Sequence, residues 1–298
     1  MEGKVKGLAA TLGTIILWSI APVLIKMLSL HFDPITQNFY RYFSSSLLLT
    51  SLSLTSGEIR RLTGHLRKLV IPASFVFLYQ TLLVYGIYMT DATTASILMK
   101  LNVVFTSILA FLLFRDERAI ITARSYLLGA LLAFTGAAGI VTDAGGSPQL
   151  TINTGAALVV SASLFWACYV TSIKFLVSDV PPLPLSAATF TLSSAMFLPL
   201  MTAAGNPAAP FQTTPEVNLL LILSGILCVG VGNWLNYIAI KSLGAAIPST
   251  LQMTTPLLTG VFSVILTGEE ITAPTLLFGG MLLAGSTLII RLVVKRPG

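Results

Sequence analysis

GLAATLGTIILWSIAPVLIK (7–26) and GAALVVSASLFWACYVTSIK (155–174) are two long apolar stretches that open on Gly, carry a Trp past their midpoint and close on Lys. An offset of 148 lays one on the other, with Gly7 on Gly155, Trp18 on Trp166 and Lys26 on Lys174. The same offset brings Pro34 onto Pro182 and Ser45–Ser46 onto Ser193–Ser194. With an offset of 153, VFTSILAFLLFRDE (104–117) meets LLTGVFSVILTGEE (257–270), and Ser96 meets Ser249. The chain therefore reads as two similar halves. Each stretch is about the length that crosses a hydrocarbon core of ~30 Å as a helix.

Working outward, ten such runs are marked, near 7–29, 34–55, 69–90, 92–114, 122–142, 154–177, 182–204, 217–240, 245–267 and 273–294. The expected fold is an all-α integral membrane protein of ten transmembrane helices, five to a half. The halves are 1–142 and 154–298, joined by a Gly/Ser/Pro-rich link at 143–153. Five is odd, so the second half enters the membrane inverted. Two similar halves in opposite orientation can exchange conformations and open a central site to one side and then the other.

Composition excludes the soluble classes. Of 298 residues, 55% are hydrophobic and 9% charged, and mean hydropathy is +0.88, whereas a soluble domain carries about 25% charged residues. The runs are too long for the alternating strands of an outer-membrane barrel. Cys168 and Cys228 both lie in apolar runs and suggest neither a metal site nor a disulfide framework. The net charge of +6 is read as membrane topology and not as a nucleic-acid footprint.

With the N-terminus in the cytoplasm, 14 of the 17 basic residues fall on the cytoplasmic side, from Lys4 and Lys6 to Lys295 and Arg296. Asp33, Asp91, Asp143, Glu216, Glu269 and Glu270 fall in outer connections. The positive-inside rule then expects both termini inside, in a cell inner (plasma) membrane. Lys4 and Lys6 before the first run invite a signal-peptide reading. Against cleavage stand the length of that run, Pro22 after Ala21 and the nine runs that follow.

On these motifs the chain resembles the drug/metabolite transporter superfamily, in its EamA-type family. ILWSIAPVLIK (16–26) resembles the family's first helix, and NFYRYFSSSLLL (38–49) its second, with an Arg before small residues. LAFLLFRDE (109–117) and FSVILTGEE (262–270) resemble the pattern that closes helices four and nine. The resemblance implies a ten-helix carrier of small metabolites, often outward, through a cavity between the halves. Two positions depart from the family pattern: Val103 stands where a Pro matching Pro256 is usual, and Arg115 where Gly is common.

Three basic residues, Lys26, Arg41 and Lys100, lie within runs. Lys100 is about eight residues into the fourth run, roughly 12 Å deep at 1.5 Å per residue. A charge there costs ~2.5–3.5 kcal/mol on insertion scales, so it should face protein or water. Thr93, Ser96, Lys100 and Ser107 recur at helical spacing, as do Ser249, Gln252, Pro256, Thr259 and Ser263 in the ninth run. The two stripes suggest opposite walls of one cavity, although Lys100 as a helix-holding ion-pair partner is the plainer alternative. Lys26, on a stripe with Trp18 and Pro22, either binds substrate, snorkels to the surface or pairs with Asp33 or Asp91. The same alternatives apply to Arg41.

Asn233, Asn236 and Tyr237 share a face of the eighth run and serve either a ligand or a neighbouring helix. Asn102, Gln80, Tyr85, Trp166 and Tyr169 are weaker candidates of the same type. Gly129-x-x-x-Ala133 and Gly280-x-x-x-Ala284 are spacings for close packing, within the scaffold or in a homodimer. Every Asp and Glu falls in a loop or at a run end, so a carboxylate proton relay is not expected. An anionic or zwitterionic cargo is expected instead, neutralised by Lys100 with help from Lys26 or Arg41. Neither a phosphate-binding loop nor an H-E-x-x-H motif is present. No cofactor, metal or catalytic residue is expected, and the alternatives are a multidrug exporter of hydrophobic cations, or an integral membrane enzyme or scramblase.

Overall fold

The computed structural model describes residues 2–62, 64–89, 98–145, 154–177, 179–267 and 273–295, with some side chains inside helices outside that description. The described residues form helices α1 (Glu2–Leu28), α2 (Pro34–Thr55), α3 (Leu66–Met89), α4 (Leu101–Leu113), α5 (Arg115–Ile121) and α6 (Arg124–Gly145). The second half continues with α7 (Thr154–Val177), α8 (Pro182–Ala204), α9 (Pro215–Ser224), a π-helical stretch Gly225–Val231, and α10 (Gly232–Leu243). It closes with α11 (Ala246–Leu251), a 3-10 turn Gln252–Thr254, α12 (Thr255–Thr267) and α13 (Ala273–Lys295). No strand occurs among the described residues.

Local chemistry explains the best-placed boundaries. Asp33 caps α2, its Oδ1 accepting the N–H groups of Ile35 and Thr36, and Pro34 fills the first helical position. Proline also opens α8 at Pro182 and α9 at Pro215. Among the described residues, five helices are long and apolar enough to cross a membrane, or six if Arg115–Ile121 and Arg124–Gly139, bent by 72°, count together. In α2 the inward face carries Thr36, Gln37, Asn38, Arg41 and Ser44–Ser46, all buried, and this lowers its hydropathy.

Large apolar side chains such as Leu12, Leu131, Leu276 and Leu277 point outward, while Thr11, Thr14, Ser19, Ser163 and Thr189 are buried. Lipid needs no polar partner, and these five buried hydroxyls satisfy themselves on their own helix. Thr11 donates to the Gly7 carbonyl, Thr14 to Ala10 and Thr189 to Leu185.

The main pairings cross between the halves. α1 packs on α10 and α12, α7 packs on α3 and α4, α2 packs on α8, and α6 packs on α13. Exchanging each helix for the one holding the same place in the other half returns the same set of pairings. The α6–α13 contact is backbone-close, since a Cβ on Gly129 would meet the Gly285 carbonyl and one on Gly136 the Phe278 carbonyl. Gly280 and Ala284, by contrast, are exposed, and a Cβ on Gly280 meets nothing within 4 Å. On the α13 side the close approach is therefore made by Gly285 and not by the Gly280-x-x-x-Ala284 spacing.

Candidate functional site

Trp18 of α1 and Trp166 of α7, matched by the sequence offset, touch edge to face with ring centroids 5.3 Å apart. Tyr79 of α3 and Tyr169 of α7 lie against Trp166, at 4.9 and 5.4 Å. From there a buried polar chain leads into α10. The Tyr169 hydroxyl lies 2.7 Å from that of Tyr237 and donates to Asn233 Oδ1 at 3.2 Å. Having given its proton to Asn233, Tyr169 accepts from Tyr237. Asn233 Nδ2 returns to the Val229 carbonyl at 2.8 Å. Trp18, Trp166, Tyr169, Asn233 and Tyr237 are thus one connected cluster drawing on both halves.

The π-helical stretch borders this cluster. Widening a helix by one residue per turn displaces carbonyls from their usual partners. Trp18 Nε1 donates to the Cys228 carbonyl at 2.9 Å, and the Thr14 hydroxyl reaches the Gly232 carbonyl at 3.2 Å. A Cβ on Gly225 would overlap the Ser44 hydroxyl and the Arg41 backbone, so only glycine permits α2 to approach this closely.

Other expected residues lie elsewhere. Gln252 Nε2 donates to Asn236 Oδ1 at 2.8 Å, while Asn236 Nδ2 is enclosed without a partner. Asn102 Oδ1 is likewise enclosed and unpartnered. Gln80 reaches Asn38 at 3.4 Å. Tyr85, 42% exposed, lines a small pocket with Asn38, Thr81 and Phe197 between α2, α3 and α8. Ser96 and the side chain of Lys26 lie outside the described residues.

Lys100 marks a break. It precedes α4 at φ −70° and ψ −14° in a turn, and the offset of 153 puts it on Met253, inside the 3-10 turn Gln252–Thr254. The two related runs therefore leave α geometry at the same place, although only one has a proline three residues on. Lys100 is half-buried, and its ammonium makes no ion pair or hydrogen bond with the described residues.

Arg41 is 3% exposed, so it does not snorkel to the surface. Its Nε is enclosed without an acceptor, and its guanidinium makes no hydrogen bond or ion pair with the described residues. The groups near enough to feel its charge are the Cys228 thiol and the Tyr42 phenol. Asp33, the loop acid nearest in sequence, is spent on capping α2 and on the Asn206 N–H.

The profile of the EamA-like transporter family matches residues 5–142 and again residues 153–291. The chain belongs to the EamA-like transporter family. A relative from Haemophilus influenzae, named an uncharacterized transporter, is 22% identical over 93% of this chain and 94% of its own. One from Archaeoglobus fulgidus with the same name is 25% identical over 91% and 93%. A crystal structure superposes with a TM-score of 0.84 at 14% identity, covering 99% of this chain and 98% of the other. That likeness speaks for the fold alone.

In this EamA-like chain the helix-closing motif at 109–117 holds a residue that sequence reasoning missed as a site. Glu117 is 2% exposed. Its carboxylate accepts the N–H groups of Ala245 and Ala246 at 2.7 and 2.9 Å and lies 2.6 Å from Lys174 Nζ. Lys174 also reaches Asp116 at 2.7 Å and sits 4.1 Å over the Phe114 ring. It is therefore an ion-pair partner. Gly244, at φ +83°, leaves no room for a Cβ beside the carboxylate. The signal for this clasp was the Arg-Asp-Glu at a run end together with a Lys at the end of a run in the other half.

Proposed function

We propose that the protein is a secondary carrier of a small polar metabolite, of amino-acid or organic-anion type, working by alternating access as an exporter or exchanger. In this reading the chain makes ten spans in two inverted halves with both termini cytoplasmic. The exchangeable set of helix pairings and the contact of Trp18 with Trp166 support two related halves meeting at a central site. The Glu117–Lys174 clasp supports closure at the run ends where α4, α7 and α11 meet.

The observation that carries the cargo class is the pair of intramembrane cations, Lys100 and Arg41, with no carboxylate among the described residues paired to either. A charge inside the membrane needs a partner. The walls supply uncharged donors and aromatic faces, so the remaining negative charge comes with the cargo. Counterflow in proteoliposomes against amino acids, organic acids, phosphosugars and organic cations tests this. The expected result is counterflow of an anion or zwitterion, reduced about tenfold or more by Lys100→Ala, the worth of one charge-assisted hydrogen bond. Unchanged counterflow in that variant, or a bare cation as the best cargo, sinks the reading.

The aromatic wall of Trp18, Trp166 and Tyr79 favours a second reading, export of hydrophobic cations through ring faces. Two cations without a partner among the described residues weigh against it, and the same counterflow panel separates the two.

A further inference from the structure

Arg41 and Ser45 lie one turn apart on the face of α2 that meets the π-helical stretch 225–231. Both carry orphans, since Arg41 Nε and Ser45 Oγ are enclosed and unpartnered. The hydroxyls of Tyr42 and Tyr79 also make no hydrogen bond with the described residues. Tyr42 stands close enough to Arg41, Tyr79 and Tyr237 to interact electrostatically with each. The guanidinium thus has no anion beside it among the described residues.

A buried guanidinium left in this state costs several kcal/mol, and packing alone does not require it. The offset that matches Trp18 to Trp166 puts Arg41 on Thr189. Thr189 is fully buried, and its hydroxyl is satisfied on the Leu185 carbonyl of its own helix. The same place in the same fold is filled in the other half by a small neutral residue. The charge at 41 therefore belongs to something that only this half binds.

We infer that the buried surroundings of the Arg41 guanidinium on α2 are a binding site for a carboxylate group. Arg41 supplies the charge there, and the unpartnered Ser45 hydroxyl one turn on supplies a further donor. One guanidinium balances one negative charge, whereas a phosphate dianion would leave net charge buried, so the ligand class is a monoanionic carboxylate. As a subsite for cargo this assignment rests on the carrier reading, but binding is measurable without transport.

The test is the thermal stability of the purified full chain in detergent, at matched ionic strength, with sodium acetate, inorganic phosphate or tetramethylammonium chloride. Acetate at about 100 times its Kd is expected to shift the folded-to-unfolded ratio about 100-fold. The shift should vanish in Arg41→Met, persist weakened in Arg41→Lys and persist in the variant of an exposed basic residue, Lys241→Ala. An equal acetate shift in Arg41→Met overturns the site, as does no shift in the wild type. Loss of the shift in Lys100→Ala with retention in Arg41→Met moves the site to Lys100 and also overturns it. Stronger stabilisation by phosphate overturns the carboxylate class. If acetate binding depends on Arg41 while no anion or zwitterion shows counterflow, the carrier reading falls and the site stands.

Discussion

The molecule buries charge in two regions and treats it in opposite ways. At the run ends, Glu117 has every partner a carboxylate can use, namely two backbone N–H groups and the Lys174 ammonium. Under α2, the Arg41 guanidinium has none among the described residues. Burial is similar, at 2% and 3% exposed, so solvent access does not explain the difference. Saturated charge locks elements together, since each partner it holds is a contact that motion must break. Unsaturated charge holds nothing, and its cost is offset only when a ligand arrives. The clasp is thus read as part of the closing machinery, and Arg41 as part of what is closed upon.

The largest effect should come from breaking the saturated side. Glu117→Ala leaves the Lys174 ammonium with the exposed Asp116 alone and strands two N–H groups at the start of α11. Breaking a buried pair in this way costs about 3–5 kcal/mol. The expected outcome is a much lower melting temperature in detergent. Lys174→Met keeps the stem over Phe114 and should cost less, because Glu117 retains both N–H groups. Melting curves in which the two variants match the wild type would show that the clasp locks nothing.

A smaller effect should follow at Gly244. Its φ of +83° and ψ of −175° lie in a region open essentially to glycine, and forcing another residue there costs about 1–3 kcal/mol. Gly244→Ala adds a Cβ that meets the Glu117 carboxylate. The cost should therefore shrink in a Glu117→Ala background, which a double-mutant cycle on melting curves would detect. Strict additivity would separate the glycine from the clasp.

Much of this was legible in the sequence, where local chemistry is strong. Asp33-Pro34 and Pro181-Pro182 fixed the starts of α2 and α8, and the run marked at 154–177 coincides with α7. The Trp18–Trp166 match found by offset became a ring contact. Less legible was whatever depends on a neighbour brought in from the other half. Glu117 looked like an ordinary helix-end acid, because its burial comes from residues 245–246, more than a hundred positions away. The π-helical stretch left only a spacing of small residues, Gly225, Gly230 and Gly232, inside an otherwise ordinary apolar run. Arg41 looked able to snorkel because depth was counted along one helix, whereas α8 and the π-helical stretch cover it.

The smallest effect on stability is expected at Arg41 itself, and its sign is what separates the two regions. Arg41→Met keeps a long unbranched stem in the same space and removes a charge with no partner to strand among the described residues. Replacing buried charge by well-packed apolar groups is often neutral or stabilising by about 1–4 kcal/mol. Without added carboxylate the variant should therefore melt at or above the wild-type temperature, the reverse of Glu117→Ala. A wild type that melts higher without ligand would mean that Arg41 has a protein partner, and the contrast between the two charges would collapse. Added carboxylate should then reverse the order, because only the wild type gains from binding. One residue that costs stability when empty and returns it when filled is what a binding site requires, and no scaffold role produces that crossing.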